Sequence, residues 1–223
     1  LFFEARYGNR RFRYSSPAAF DVVQVTPSNP FFVSPDGSPF SLIAYSFINE
    51  LGPVRNRGTV EAWSATGGAT VELGGDWVLD SFASFAREQT WSRNDNLVNS
   101  TYLAEASGAL PDDLSTPFST ARDGFFNPYG EGAINSAAVL DFVGQGFGEE
   151  HIRSSLLSAN VKADGRLFDL PGGSVRAALG AAFRRESFER GGEFLLFGTT
   201  PLALVQADTS RSVAALFGEL TIP

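Results

Sequence analysis

From Leu157 to Leu167 the chain alternates without a break. Leu157, Ala159, Val161, Ala163, Gly165 and Leu167 fall on one side, and Ser158, Asn160, Lys162, Asp164 and Arg166 on the other. Period two over this length predicts a strand between an apolar and a polar medium, because successive side chains of a strand point to opposite faces. After Leu170-Pro171-Gly172-Gly173 the pattern resumes. Val175, Ala177, Leu179, Ala181 and Phe183 oppose Arg176, Ala178, Gly180, Ala182, Arg184 and Glu186. Two alternating runs around a Pro-Gly-Gly turn predict an antiparallel hairpin. A second hairpin is predicted upstream, from Trp63 to Leu73 and back from Trp77 to Trp91, turning at Gly74-Gly75-Asp76. Phe2–Tyr14 and Ser212–Ile222 read as further strands.

Between the strands lie segments rich in Pro, Asn, Ser, Asp and Gly, covering roughly residues 15–40, 93–150 and 191–210. The middle one holds two helix candidates, Val98–Ala106 closing at Gly108, and Ile134–Val143. Phe40–Leu51 as a strand of its own, turning at Gly52-Pro53, would put long loops on both edges; if Phe40–Leu73 is instead one long strand with a bulge at Gly52-Pro53, the connections run long, short, long, short, long. All long loops then share one edge and all short turns the other. The expected fold is all-β: an antiparallel meander of about six long strands forming part of a transmembrane β-barrel, with long extracellular loops carrying short helices. Six strands fall short of the roughly eight that such a barrel needs. The chain also starts and stops inside strand-like sequence, so it is expected to be a fragment of a longer polypeptide.

Composition narrows the chemistry. The 223 residues carry 17 Lys+Arg against 25 Asp+Glu, a net charge of −8, which argues against general nucleic-acid binding. No Cys is present, so there is no disulfide, thiolate site or Cys nucleophile; with His151 alone, no ordinary zinc site is expected. No apolar run approaches the roughly 18 residues of a membrane helix, which leaves a strand-built membrane wall untouched. Low charge (19%), 21 Phe and 23 Gly suit alternating strands with small residues on one face.

Leu170-Pro-Gly-Gly-Ser-Val-Arg-Ala-Ala-Leu-Gly-Ala-Ala-Phe-Arg-Arg-Glu is similar to a hairpin of the TonB-dependent outer-membrane receptors, and further segments resemble the same family. Phe126-Asn-Pro-Tyr-Gly is similar to an element of a long extracellular loop. Phe217-Gly-Glu-Leu-Thr-Ile-Pro resembles a strand end, and Gly75-Asp76-Trp77 a periplasmic turn. Glu50-Leu-Gly-Pro followed by Arg55 resembles a bulge, here with Val54 inserted. The resemblance implies a barrel of about 22 strands with an N-terminal plug. Residues 1–223 then form a partial barrel domain in the outer membrane of a Gram-negative bacterium. The implied function is import of a scarce ligand (ferric siderophore, cobalamin or oligosaccharide) with energy relayed by TonB. The implied partners are outer-membrane lipid, the receptor's own plug, TonB through the N-terminal region, and the transported small molecule, with no nucleic acid and no cofactor.

Candidate ligand-binding residues are Lys162, Arg176, Arg184 and Glu186 on the polar strand faces and Phe125, Phe126 and Tyr129 in the middle loop. The bland alternatives are a hydrated wall with cross-strand ion pairs, and aromatics that pin the loops together. The arginines between Arg6 and Arg13 suit an anionic ligand such as a ferric chelate, or lipopolysaccharide phosphates. Trp63, Trp77 and Trp91 suit an interfacial belt, Trp77 best. No catalytic or metal residue is expected: Gly144-Gln-Gly-Phe-Gly places Glu149 where a phosphate loop needs glycine, and no nucleophile elbow surrounds a serine. A soluble β-rich carbohydrate-binding module is the alternative. An enzyme built on Asp112-Asp113 or Glu149-Glu150 ranks last.

Overall fold

The computed structural model describes residues 1–130 and 134–223. In chain order the elements are β1 (Phe2–Ala18), β2 (Phe20–Val25), β3 (Ser41–Ser46), β4 (Pro53–Gly74), β5 (Trp77–Leu97), α1 (Ser100–Ala106), α2 (Thr120–Asp123), α3 (Ala137–Val143), β6 (Gly146–Leu170), β7 (Gly173–Leu195), β8 (Leu202–Ala203) and β9 (Ala207–Thr221). Six long strands form one antiparallel sheet in the order β1-β4-β5-β6-β7-β9, with two-residue β8 also on β7. The sheet is open: among the described residues the outer edges of β1 and β9 carry no further strand. β6 has 25 residues, roughly 80 Å of extended chain.

The short turns behave as their residues require. Gly74, Gly75 and Asp76 all have positive φ (89°, 60° and 64°), which two glycines and an aspartate tolerate. All three long connections leave from the opposite end. One expectation is corrected there. Phe40–Leu73 is not a single strand: β3 leaves the wall and pairs with β2 in its own two-stranded sheet. The chain then turns, with the Leu51 and Gly52 amides both donating to the Phe47 carbonyl, and enters β4 at Pro53. The reason is packing. Phe47 is buried in the loop core, and Ile43 and Tyr45 pack against it.

That core holds most of the buried apolar side chains, and it lies at the loop end rather than on either face of the sheet. Val23, Val25 and Phe47 from the first connection meet Tyr102, Leu103, Phe118, Phe126, Phe142 and Val143 from the second and Leu195 from the end of β7. Phe118 and Tyr102 stack on Phe142, each with ring centroids 4.3 Å apart. The two expected helices are present but shorter, because each begins at its cap. Asn99 Oδ1 accepts from the Thr101 and Tyr102 amides, and Ser136 Oγ from that of Val139.

Buried asparagines bind the loops to one another. Asn29 Nδ2 donates to the Ser107 and Phe126 carbonyls at 3.0 and 2.9 Å, and Asn99 Nδ2 to the Gly198 carbonyl at 3.0 Å. Asn99→Ala removes the α1 cap and the link to the β7–β8 connection together. We expect it to cost about 1–3 kcal/mol of loop-core stability. Hydrogen exchange should show this as lost amide protection in residues 98–108, with exchange in the middle of β5 and β6 unchanged.

Candidate functional site

Directly opposite residues of an antiparallel pair share a face, so the register sorts every strand residue. One face is polar. It carries Lys162, Asp164, Arg176, Arg184 and Glu186, as the alternation predicts, together with Glu4, Arg6, Asp80, Glu88, Glu150, Arg190 and Arg211. These charges engage one another. Lys162 Nζ lies 3.0 Å from Asp164, whose other oxygen is 3.8 Å from Arg176; Glu186 pairs with both Arg184 and Arg211, and Arg190 with Glu150.

A groove of about 650 Å³ crosses this side, lined by Arg6, Ser64, Glu88, Ser154, Arg184 and Glu186 among others. It gathers Arg184 and Glu186 of the expected set. Lys162 and Arg176 lie outside it: Arg176 sits eight residues from Arg184 along β7, roughly 26 Å nearer the short turns. Strand pairing brings Glu88 into the groove and sets Arg211, outside its lining, opposite Glu186, which no single-strand pattern reveals. The aromatics of the middle loop do not join the groove. Phe126 is fully buried and fills the loop core against Tyr45 and Phe47, so its ring is not offered to a ligand. Phe125 is half-buried, and only Tyr129 is exposed.

The other face has two zones. Toward the short turns it is apolar across all six strands: Phe3 and Ala5; Ala65, Ala69 and Val71; Leu79 and Phe85; Leu157 and Val161; Leu179 and Phe183; Leu216 and Leu220. Among the described residues nothing covers this band: Leu157, Leu179 and Leu216 are 40%, 60% and 88% exposed. Above it the same face turns charged or polar. Apart from Ser81, which lies inside the band on β5, the border residues on successive strands are Asn9, Glu61, Arg87, Ser155, Arg185 and Ser212. Measured against the hydrogen-bonded rows, this line descends by two rows over the five interstrand steps. That is about 13 Å over about 24 Å, a slope of roughly 30°. Tyr7, Trp63, Phe85 and Phe183 follow the same slope just beneath it. Trp77 borders the band at the short-turn end, lying over Gly165 and donating from Nε1 to the Arg166 carbonyl at 3.0 Å. Trp91 sits higher, among charges, with the Arg57 guanidinium 5.9 Å from its ring.

The residues weighed for catalysis hold structure. Glu149 and Glu150 project to opposite faces; Glu149 holds Arg93 at 3.0 Å and His151 at 3.1 Å. Asp112 accepts from the Thr120 amide and Asp113 from that of Ser115. Gly144 caps α3, and a Cβ at Gly146 would meet the Leu97 carbonyl oxygen at 2.5 Å, so these glycines serve close packing. Among the described residues, no group of three or more His, Cys, Asp or Glu could hold a metal.

One buried acid stands apart. Glu105, on α1, is almost wholly buried, and its Oε1 accepts from the Asp113 amide at 3.0 Å and the Thr116 hydroxyl at 3.1 Å. Burial raises its pKa above the ordinary glutamate value, outweighing those two hydrogen bonds. Its contribution to stability is therefore full below the unfolded-state pKa and is lost as pH rises through the folded-state value. Glu105→Gln keeps an acceptor oxygen and removes the charge. Limited proteolysis of the loops across pH should show a flatter profile for the variant and equal or greater resistance at neutral pH. No protein-family model matches this chain, and no curated protein matches it.

Proposed function

We propose that the chain is part of the barrel wall of an outer-membrane TonB-dependent receptor that imports a scarce small ligand. The observation that carries this reading is the uncovered apolar band, closed above by a sloping border of charged and polar residues with Tyr7, Trp63, Phe85 and Phe183 just beneath it on four of the six strands. A wall crossing a bilayer with tilted strands needs such a boundary, since the membrane plane cuts obliquely across hydrogen-bonded rows. The slope of roughly 30° approaches the ~35–45° tilt of membrane barrels. On β6 the band runs from Leu157 to Leu167. That is about 33 Å of strand, or about 25–29 Å in height at tilts of ~30–40°, close to the ~25 Å apolar band of such barrels. The one-sided long loops and the motif order add support.

On this reading the polar face lines the interior and the groove at Arg6, Glu88, Arg184 and Glu186 lies on the ligand's path or against the plug. The open edges of β1 and β9 pair with further strands of a longer polypeptide. A soluble carbohydrate-binding module needs its apolar face packed in a core; here the buried cluster lies at the loop end and the band stays bare.

These 223 residues hold no cysteine, so a labelling scan needs only any cysteine outside them replaced. Single cysteines at 157–164, in the complete polypeptide assembled in bilayers, should report lipid at 157, 159, 161 and 163 and water at 158, 160, 162 and 164. Uniform water exposure sinks the proposal. Val161→Arg should cost about 2–4 kcal/mol, as charge at the bilayer midplane does, whereas Asn160→Arg should leave assembly intact.

A further inference from the structure

We infer that the charged end of the apolar face, on β1, β4 and β5, binds the phosphorylated saccharide headgroup of a membrane glycolipid; this rests on the membrane reading of that face. The register divides the N-terminal arginines: Arg6 and Arg10 belong to the polar face, Arg11 and Arg13 to the other. There Arg13, Arg57 and Arg93 stand directly opposite one another, three guanidinium groups in one row at strand spacing. Like charges so placed repel and destabilise the sheet. Arg55 lies in the next row outward and Arg11 in the next row inward.

Compensation is incomplete. Asp95 serves both Arg57, at 3.3 Å, and Arg93, at 2.8 Å, and Glu149 adds a second partner to Arg93. Arg11, Arg13 and Arg55 have no carboxylate partner among the described residues. Five arginines stand against Asp95, Glu149 and, one row inward of Arg11, Glu61, a local charge of +2 in a chain of net charge −8; beyond Glu149 the row ends at Glu193 on β7. A depression of about 520 Å³ lies among them, lined by Arg13, Ser15, Arg55, Arg57 and Asp95. Guanidinium forks suit phosphate, which they can grip with two parallel hydrogen bonds.

Height chooses among phosphate sources. Arg13 lies six residues beyond Tyr7 of the aromatic line, about 20 Å along the strand and about 17 Å in height at a slope of ~30°. The headgroup layer of an ordinary bilayer is only about 5–8 Å deep on each side. A plain phospholipid phosphate therefore falls short, and a phosphate carried on an extended saccharide reaches. Trp91, beside Arg57 and two positions across from Arg11 in its row, offers an aromatic face at the same level for a sugar ring.

The test compares the complete polypeptide with its Arg13→Gln/Arg57→Gln variant in phosphatidylcholine vesicles. The vesicles contain lipopolysaccharide, its enzymatically dephosphorylated form, or neither, and thermal stability is followed as a function of glycolipid content. The phosphorylated glycolipid should stabilise the native protein, and the double variant should need about tenfold more or beyond for the same effect. Without glycolipid the variant should melt at the same temperature or higher, because a like-charge row has been relieved; a merely structural arginine gives the opposite sign. Arg184→Gln, on the polar face, should bind glycolipid as the native chain does. Unchanged affinity in the double variant, or equal binding of the dephosphorylated form, overturns the inference. So does equal protection by inorganic phosphate at the same phosphate concentration, which makes the ligand a free anion. The cysteine scan judges the membrane reading separately, so a chain that passes it and fails here loses only the glycolipid site.

Discussion

An antiparallel ladder that never slips transmits orientation. Once one residue's face is fixed, its partner's face is fixed, and so on across the sheet. In this chain the register shifts are confined to the strand ends, at Ser16/Ala18, Glu72/Gly74, Asn94/Leu97 and Arg166/Phe168. Between them, six strands are paired residue for residue. The alternation of Leu157 with Ser158 is thereby propagated to Tyr7 on one edge and Leu216 on the other. The continuous band, its sloping border and the row of three arginines all depend on that unbroken pairing.

The same ladder explains the unusual abundance of Phe and Gly. Phe2 lies over Gly68, Phe12 over Gly58 and Phe217 over Gly180, each pair directly opposite in register, and a Cβ at any of these glycines would stand 2.2–2.5 Å from the ring. Aromatic rings on the outermost strands fill the space above bare backbone next door and pin the register there. Stability is thus divided. The wall relies on backbone pairing and such ring-over-glycine contacts, while most of the buried apolar side chains gather among the loops.

Most of the wall was legible in the sequence because period two and Gly-rich turns are local signals. The β6–β7 hairpin, both short turns and the one-sided loops follow from positions a few residues apart. Three features needed the third dimension. Ser41–Ser46 alternates like a wall strand, yet Ile43 and Tyr45 pack on a core assembled from three separate connections. Phe126 has the look of a ligand-facing loop aromatic, but Asn29, 97 residues away, holds its carbonyl and draws the ring inside. The Arg13–Arg57–Arg93 row joins residues that no local pattern connects. In the groove, likewise, Arg184 and Glu186 were foreseeable from alternation, whereas Glu88 and Arg6 entered through pairing alone.

The position of the loop core also gives the wall a gradient of stiffness. Phe147 and Leu195, at the ends of β6 and β7, with Ala19 just after β1, Leu51 just before β4 and Val98 just after β5, all reach into or against that core. It therefore acts as a clamp on the loop-side ends, holding their spacing through close-packed rings. At the opposite end adjacent strands are held by backbone pairing, by the Gly74-Gly75-Asp76 and Pro171-Gly172 turns and by surface ties such as Trp77 to the Arg166 carbonyl and Asp76 to Arg166, and the buried cluster does not extend there among the described residues. The loop-side ends are thus fixed by side-chain packing as well as by pairing, and the short-turn ends by pairing and surface ties alone, so local opening costs least at the short-turn end.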